Sequence, residues 1–155
     1  MITLVPMTEA EYLAYLEEAI PDYATDKVAC GQWTQEEALS SSKKSFEELL
    51  PQGRETAGHH LFTLHHGELG ALGMLWFAEQ ERVGSRVAYI YNIRIDPKHR
   101  RKGYATQAFR ELEDKVRALG LSGVALHVFG HNTAAQALYA KLGYLPTNIN
   151  MFKPL

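Results

Sequence analysis

The sequence predicts one mixed α/β domain over residues 1–155, and three observations lead to that class. The chain has 155 residues, 46% of them apolar, which suffices for one sizeable core and is short for two. Its middle third has the two-residue period of β-strands, whereas the segments on both sides have helical spacing. No repeat, low-complexity stretch or linker interrupts it. The expected element order is therefore β-α-α-β-β-β-α-β-α-β.

A short strand and a helix are expected at the N-terminus. Residues 2–6 read as a strand. Thr8 and Glu11 then have the spacing of a capping box, in which each side chain satisfies an unpaired amide at the helix start. The apolar residues that follow keep helical spacing until Pro21, where we expect the helix to end and a loop over residues 21–33 to begin.

A second helix leads into an antiparallel meander of three strands. Thr34 and Glu37 repeat the capping box, and Pro51-Gln52-Gly53 supplies a stop after the apolar helical face. The period then changes from helical to alternating, with β-branched and aromatic residues enriched and turn residues between the runs. The three strands are expected over residues 60–65, 69–79 and 87–95.

The C-terminal part alternates helix and strand. Asn132 is suited to cap the last helix, and Gly143 stands at the position where that helix should stop. The expected elements are a helix over residues 104–119, a strand over 122–129, a helix over 132–142 and a closing strand or hairpin within 144–152. Such a closing strand could pair within the chain or between two subunits, which leaves a homodimer open.

Charge and cysteine content narrow the functional classes. The formal net charge is −2, so the molecule lacks the broad positive field that nonspecific nucleic-acid binding needs. The short basic patch of residues 99–102 is the only feature that favours a nucleic-acid partner. We therefore expect no nucleic-acid partner. Cys30 is the single cysteine, and no apolar run approaches the length of a membrane span. A cytoplasmic protein without a membrane partner is therefore expected.

Metal binding is also not expected. Four histidines lie near the ends of the first strand of the meander, namely His59, His60, His65 and His66. Histidines at hairpin ends, without cysteine or a fixed ligand spacing, usually face solvent rather than a metal ion. We therefore expect these four side chains to be exposed.

The stretch 95-IDPKHRRKGYATQAF-109 predicts a local anion site. A strand end, a short loop and a glycine at a helix start bring several unpaired amides to one place. Each hydrogen bond to a charged acceptor contributes about 1.5–3 kcal/mol, whereas an exposed ion pair contributes about 0–1 kcal/mol. The amides should therefore dominate binding. A solvated basic turn ahead of an amphipathic helix remains the alternative interpretation at this point.

Two sequence motifs, taken together, decide between the anion site and the solvated basic turn. Arg100, Gly103 and Ala105 match the pattern Q/R-x-x-G-x-G/A, and the segment 132–144 matches N-x-x-A-x-x-L-Y-x-x-x-G-F/Y throughout. With a helix and a strand between them, the two motifs resemble those of the GNAT superfamily of N-acetyltransferases. The close resemblance covers roughly residues 87–144, and the first half agrees only in its pattern of elements.

The resemblance implies both a fold and an activity. The fold is a GNAT-like twisted central sheet, mostly antiparallel with one parallel splayed strand pair, flanked by about four helices. The activity is direct transfer of an acetyl group from acetyl-CoA to a primary amine, carried by a small molecule or a protein. A non-catalytic acyl-CoA-binding sensor or interaction module is the alternative, because this chain lacks the glutamate base found in some relatives.

The resemblance also implies the residues of the site. The pyrophosphate would sit on loop amides, and the pantetheine arm would bond to the backbone at the end of the preceding strand. The implied cofactor-binding residues are Ile93, Arg94, Ile95, Arg100, Arg101, Lys102, Gly103, Tyr104, Ala105, Thr106, Asn132 and Tyr139. The Tyr139 hydroxyl would lie near the thioester sulfur. An ordinary core tyrosine and a simple helix cap are the alternatives for Tyr139 and Asn132.

The general base is the least determined residue. His127 stands where some relatives carry a glutamate, and an imidazole of pKa about 6.5 can accept a proton near neutral pH. A partly buried strand histidine is its alternative role, and Glu79 is a weaker candidate base. Tyr89 and Tyr91, expected on the same face as Ile93, are candidates to line the acceptor pocket. Acidic Asp22 and Asp26 point weakly to a cationic acceptor.

Overall fold

The structure, a computed structural model, describes residues 1–82 and 84–155. Its strands are β1 (Ile2–Pro6), β2 (His59–His66), β3 (Gly70–Arg82), β4 (Ser85–Ile95) and β5 (Val124–Leu126). Its helices are α1 (Glu9–Ala29), α2 (Ala38–Leu49), α3 (Tyr104–Ala118) and α4 (Thr133–Lys141). The sheet order is β1-β2-β3-β4-β5, antiparallel except for the parallel pair of β4 and β5. The predicted α/β class and antiparallel meander are confirmed.

The sheet buries one hydrophobic core on each face. On one face α3 packs over strand residues, and the central members of that core are Leu64, Leu75, Phe77, Ile90, Phe109 and Leu112. On the other face α1 and α2 pack, and the central members of that core are Tyr12, Tyr15, Phe46, Met74 and Trp76. Burial of one such large side chain contributes about 1.5–3 kcal/mol, so the two cores hold the sheet between helical layers.

Local sequence signalled the start of α1 correctly but placed the start of α2 too early. Thr8 and Glu11 form both capping-box bonds at the start of α1, at 3.2 Å and 2.9 Å. Thr34 and Glu37 exchange the same bonds at 3.1 Å and 3.4 Å, although α2 begins only at Ala38. These contacts need only residues three positions apart, which explains why the sequence predicted them.

The predicted end of the first helix at Pro21 is wrong, because α1 continues through Pro21 to Ala29. A proline removes one amide donor and tends to kink or break a helix interior. Contacts with α2 hold this part of α1 in place: the buried Ser42 hydroxyl donates to the carbonyl of Ile20 at 2.7 Å, and Tyr23 packs edge-on to Phe46 at 6.1 Å. Most of the expected loop over residues 21–33 is therefore helix.

A bulge in β4 was not predicted. Ile90 pairs with Phe77 and Asn92 pairs with Trp76, so Tyr91 is one extra residue on the β4 side. A bulge of this kind bends its strand and changes which side chains face each side of the sheet. It lies where β5 stops pairing, since the last β4–β5 pair joins Ile90 to Leu126.

The bulge overturns the expectation that Tyr89 and Tyr91 share a face with Ile93. Tyr91 packs with the core under α1 and α2, and Tyr89 meets its ring at 4.9 Å. Ile93 packs against the core under α3. Because strand side chains alternate, one inserted residue suffices to place these groups on opposite faces.

The C-terminal part of the sheet is smaller than predicted. The strand expected over residues 122–129 spans only Val124–Leu126. The closing strand expected within residues 144–152 is wrong as well, because residues 144–155 form neither helix nor strand. Among residues 1–82 and 84–155, no helix is both long and apolar enough to cross a membrane.

Candidate active site

A cleft opens where β4 and β5 part. The two strands pair only through residues 88–90 and 124–126, while β4 continues to Ile95 alongside β3. Within the described residues, no strand lies beside the edge of residues 91–95 that faces away from β3. This edge is open to another extended chain. The opposite lip of the cleft is formed by residues 127–131, which follow β5 directly.

A cradle of main-chain amides, formed by residues 101–106, lies at the start of α3. Arg101 (φ 61°) and Gly103 (φ 81°) adopt left-handed conformations, and the helix begins at Tyr104. Within the described part of the chain, the amides of residues 101–106 donate no backbone hydrogen bond. Left-handed residues beside a helix start make the concave arrangement that binds anions, and here the helix dipole adds to it.

The side chain of Arg100 joins this cradle to β4. Its Nε donates to the carbonyl oxygen of Ile95 at 2.8 Å, so the guanidinium is directed to the strand end. The implied cofactor-binding role of Arg100 therefore competes with a positioning role. Arg101 and Lys102 are exposed beside the cradle.

The three strand residues predicted to hold the pantetheine arm use their side chains elsewhere. Ile93 and Ile95 pack in the core under α3, where Ile95 is buried. Arg94 points to the opposite face, and its Nη1 lies 2.5 Å from a carboxylate oxygen of Glu18 in α1. Only the main chain of these residues faces the cleft edge, as the sequence interpretation proposed for Ile93 and Ile95.

Tyr139 connects α4 to the helix that carries the cradle. Its ring lies edge-on to Phe109 of α3 at 5.8 Å. Burial raises the pKa of Tyr139, so the phenol stays protonated at neutral pH. Its hydroxyl makes no hydrogen bond to a described residue and is not fully buried. The exposed side chain of Asn132 accepts a hydrogen bond from the amide of Ala135 at 3.2 Å, so Asn132 caps the start of α4.

His127 is largely exposed on its lip of the cleft. Its ring meets Phe129 edge-on at 5.0 Å. Partial loss of hydration, and secondly the charge of Lys27, lower the pKa of His127, which keeps the imidazole neutral near pH 7. Within the described residues, neither ring nitrogen of His127 makes a side-chain hydrogen bond, and the residue is exposed.

The C-terminal half of α1 reaches the same lip. The Tyr23 ring lies 6.4 Å from Phe129, and Asp26 pairs with His131 at 3.0 Å. These contacts exist because α1 continues past Pro21. Most of the loop expected over residues 21–33 is thus a helix end held against the lip, and Asp26 is a paired acid rather than a free one.

Aromatic side chains form a wall under this helix end. Tyr91 stacks on Trp76 with ring centroids 4.7 Å apart, and Tyr89 lies edge-on to Tyr91. Gln80 donates to the Tyr91 hydroxyl at 3.0 Å, which fixes the orientation of that ring. Tyr89 and Tyr91 therefore remain the predicted acceptor-pocket residues, on the α1 face only.

Glu79 and the histidines of β2 have structural partners. The Glu79 carboxylate lies 2.9 Å from His60 and 2.6 Å from Arg86, and the His60 contact is the main cause of its lowered pKa. His59 accepts a hydrogen bond from Trp76 at 3.0 Å. Glu79 is thus a poor proton acceptor. The expectation that the four histidines of β2 are exposed is wrong, because all of them are half-buried, namely His59, His60, His65 and His66.

No cluster of three or more His, Cys, Asp or Glu side chains that could hold a metal ion occurs among residues 1–82 and 84–155. Cys30 is exposed near the end of α1. Asp22 is exposed as well. The predicted site groups that remain are the main-chain amides of residues 101–106, Tyr139 and His127.

Comparison with known proteins identifies the family. The model of the acetyltransferase (GNAT) family matches residues 16–144. The chain belongs to this family. It is 38% identical over 154 residues to the uncharacterized N-acetyltransferase YycN of Bacillus subtilis strain 168, covering 99% of each sequence. It is 35% identical over 153 residues to the uncharacterized N-acetyltransferase YdgE of the same strain, covering 99% of this chain and 98% of YdgE.

A crystal structure of YycN gives the same result for the fold of this GNAT protein. The two structures superpose with a TM-score of 0.95 over 100% of this chain and 99% of YycN. The predicted superfamily, the fold class and the enzyme class of N-acetyltransferase are thereby confirmed.

Two contributors to this GNAT site were not predicted. Gly73 in β3 lies so close to β4 that an added Cβ would collide with the carbonyl oxygen of Arg94. Lys27 sits over the rings of Tyr23 and Trp33 and influences His127. An interior strand glycine is a general signal of close backbone approach, but nothing in the local sequence signals the contacts of Lys27.

Proposed function

We propose that this GNAT protein transfers an acetyl group directly from acetyl-CoA to an amine, carried by a small molecule or by a protein. The observation that carries the proposal is the juxtaposition of two unpaired main-chain surfaces, the cradle of residues 101–106 and the open edge of residues 91–95. One side chain, Arg100, ties the two together. A diphosphate followed by an amide-bearing arm is complementary to that combination.

The cradle supplies most of the proposed affinity for the diphosphate. Hydrogen bonds from amides to a charged acceptor contribute about 1.5–3 kcal/mol each, against about 0–1 kcal/mol for an exposed ion pair. Arg101 and Lys102 are exposed and therefore add attraction at longer range. The arm then extends along Ile93, Arg94 and Ile95, whose side chains are directed into the fold and leave the main chain accessible to it.

The side chains of the cleft fit the proton transfers of the reaction. An amine of pKa about 10.4 is protonated at pH 7, and removing its proton costs about 4.6 kcal/mol there. His127, held neutral by its lowered pKa, is the proposed base. Tyr139, whose raised pKa keeps its proton, is the proposed donor to the departing thiolate. The main-chain amide at Ile93 is the proposed donor to the oxygen that gains charge.

We further propose that residues 1–155 act as one domain in the cytoplasm. The two cores share the same five-stranded sheet, and β4 contributes to both of them. Cys30 is exposed and free, as is usual for a thiol in a reducing compartment.

A non-catalytic acyl-CoA-binding module is the second candidate. The observation that favours it is the exposure of His127, which no hydrogen bond from a described residue orients. A sensor would bind acetyl-CoA through the same cradle without turnover. Calorimetric binding without thiol release across a broad panel of amines would favour this second candidate over the first.

Substitution of two matched glycines tests the cradle. Gly103 and Gly120 flank α3, have left-handed φ values of 81° and 75°, and have open space where a Cβ would lie. We expect Gly103→Ala and Gly120→Ala to lose a similar stability of about 1–2 kcal/mol, because both force a Cβ into that conformation. Only Gly103→Ala should weaken acetyl-CoA binding. The expected loss is about tenfold in affinity, which corresponds to one hydrogen bond to a charged acceptor. Calorimetry showing equal affinities for the two variants would exclude the cradle as the diphosphate site.

A further inference from the structure

The half-buried side chain of Lys27, in the last turn of α1, carries a charge that no acid of the described chain neutralises. Its ammonium group lies over the ring of Tyr23 at 5.5 Å and over the ring of Trp33 at 5.3 Å. Its hydrogen-bond acceptor is the neutral side-chain oxygen of Gln32. Asp26, the acid next to it in sequence, pairs with His131 instead. Because a partly buried charge is normally paired, the Lys27 ammonium group is available to an anion.

Lys27 lies close to the proposed base. Tyr23, under the ammonium group, lies 6.4 Å from Phe129 of the lip, and Phe129 lies 5.0 Å from His127. Partial loss of hydration is the main cause of the lowered pKa of His127, and the charge of Lys27 is the second. Charges interact in this way over about 10 Å or less. An amine held at His127 therefore has Lys27 within the length of one small molecule.

A second cation borders the aromatic wall of the cleft. The exposed guanidinium group of Arg82 lies over the ring of Tyr89 at 5.7 Å. Burial is the main influence on the pKa of Tyr89 and raises it, and the nearby Tyr23 and Arg82 act on it more weakly in opposite directions. Tyr23 and Tyr89 are thus neighbours, and each has a cation over its ring. The wall therefore has positive charge on both sides.

The acids of this region do not offset these two cations. The Glu79 carboxylate contacts two basic side chains of the sheet, and Asp26 is paired within the lip. Asp22 is among the smaller influences on the pKa of Tyr15, for which burial is the main cause, and it is not among those on His127. The local field next to His127 therefore favours an anion, although the whole chain has a formal net charge of −2.

We propose that the acceptor is an amine that also carries a carboxylate, and that Lys27 binds this carboxylate while the amine lies at His127. This inference rests on the proposed function, because it concerns the acceptor of the same cleft. The rings of Tyr23 and Tyr89 offer apolar surface for the carbon skeleton between the two groups. Lys27 is then a specificity-determining residue, since an amine without a carboxylate leaves its charge unpaired.

The transfer step is unchanged by this assignment. The amine nitrogen bonds to the carbonyl carbon of the thioester, and the bond from that carbon to sulfur breaks. The proton of the amine goes to His127, and the departing thiolate of CoA receives the proton of Tyr139. Lys27 takes no part in these proton transfers and acts only on binding and orientation of the acceptor.

The amine and the carboxylate have to be separated by several bonds, because Tyr23 and Phe129 lie between Lys27 and His127. The two groups of an ordinary α-amino acid are too close together to reach both residues. A small ω-amino acid has the required separation. The N-terminus of an acidic peptide offers the same pair of groups, and the two sources are distinguished below.

A matched pair of amines tests the assignment. We expect wild-type kcat/KM for 4-(aminomethyl)benzoate to exceed that for 4-(aminomethyl)benzamide about tenfold, which corresponds to one hydrogen bond between charged groups. Lys27→Gln should reduce this ratio to about one, and Lys27→Arg should preserve it. The influence of Lys27 on His127 is the same for both amines, so it cancels in the ratio. Lys43→Gln, on the exposed surface of α2, is the control and should leave the ratio unchanged.

A pair of peptides identifies the source of the carboxylate. Pentapeptides that begin Ala-Glu-Glu and Ala-Gln-Gln differ in charge but not in shape. A preference for the acidic peptide that Lys27→Gln removes, without a preference between the two small amines, would assign the site to an acidic N-terminus. A preference confined to 4-(aminomethyl)benzoate would assign it to a free amino acid. Equal rates within both pairs in the wild-type protein would overturn the inference and leave the proposed function intact.

A binding measurement separates the inference from the proposed function. 4-Methylbenzoate and 4-methylbenzamide lack the amine, so their binding in the presence of CoA requires no turnover. We expect calorimetry to detect about tenfold tighter binding of the benzoate to the wild-type protein, and equal binding of both to Lys27→Gln. Such binding without thiol release from any amine would refute the proposed function and retain the anion site. Equal binding of the two compounds to the wild-type protein would overturn the anion site itself.

Discussion

Two neighbouring tyrosines show how one residue type acquires different roles. Tyr139 and Tyr144 both pack against Phe109 at 5.8 Å, and burial raises both pKa values. The Tyr144 hydroxyl is fully buried and has no partner among the described residues, whereas the Tyr139 hydroxyl retains contact with solvent. The unpaired Tyr144 hydroxyl therefore lowers the stability of the fold, whereas the Tyr139 hydroxyl is available to a substrate or cofactor.

The pair gives a matched substitution experiment. Tyr139→Phe removes a proposed proton donor and should lower kcat about 100-fold with little change in the melting temperature. Tyr144→Phe should leave kcat unchanged and raise the free energy of unfolding by about 1 kcal/mol, because it removes a buried unpaired hydroxyl. Initial rates of thiol release and denaturant melts measure both effects. Unchanged kcat in Tyr139→Phe would remove this residue from the mechanism.

The charge of Lys27 provides a test of His127 as the base. A base must be unprotonated, so kcat/KM should fall as the pH drops through the lowered pKa of His127. Loss of hydration is the larger cause of that lowering and Lys27 the smaller one. Lys27→Gln should therefore raise the pKa in part and move the acid limb to higher pH, and His127→Ala should abolish the limb. Lys43→Gln, on the exposed surface of α2, is the control. An acid limb that survives His127→Ala would assign the base elsewhere.

At the scale of elements, contacts between near neighbours were predictable and contacts between distant residues were not. The capping bonds of Thr8 and Asn132 join residues three apart, and the glycine before α3 needs no partner at all. The part of α1 around Pro21 contacts instead a residue far along the chain, Ser42 of α2. A proline rule applied to α1 alone could not anticipate that contact.

The same distinction explains the sheet and the site. The bulge at Tyr91 exists only relative to its partner strand β3, so no pattern within β4 displays it. Glu79 was predicted as a weaker candidate base. Strand pairing brings His60 and Arg86 into contact with its carboxylate, and these contacts make it a poor proton acceptor. The cradle was predictable because its amides, its glycine and its helix are contiguous in sequence.

Close contact between β3 and β4 sets the position of the open edge. Gly73→Ala should push β4 away at Arg94, with a loss of about 1–3 kcal/mol in the free energy of unfolding and weaker acetyl-CoA binding. Gly67→Ala, in the turn between β2 and β3 with open space around it, should change neither quantity appreciably. Denaturant melts and calorimetry compare the two variants. An affinity unchanged in Gly73→Ala would separate cofactor binding from the geometry of β4.

At the scale of the whole molecule, binding has to be local. The formal net charge of −2 gives no overall attraction for an anionic cofactor. β4 connects the parts that matter, because it contributes to both cores and ends at the carbonyl that Arg100 contacts. Occupation of the cradle and the β4 edge should therefore stabilise the entire fold rather than one loop.

Thermal melting measures that stabilisation. Acetyl-CoA at 100 times its dissociation constant should add about 2.7 kcal/mol to the free energy of unfolding. For a chain of this length each kcal/mol raises Tm by about 2–4 °C, so we expect an increase of about 5–10 °C. Acetylpantetheine lacks the diphosphate and, at the same concentration, should raise Tm by less than about 2 °C, because it engages the β4 edge without the cradle. Equal shifts from the two ligands would mean that the amides of residues 101–106 contribute nothing to binding.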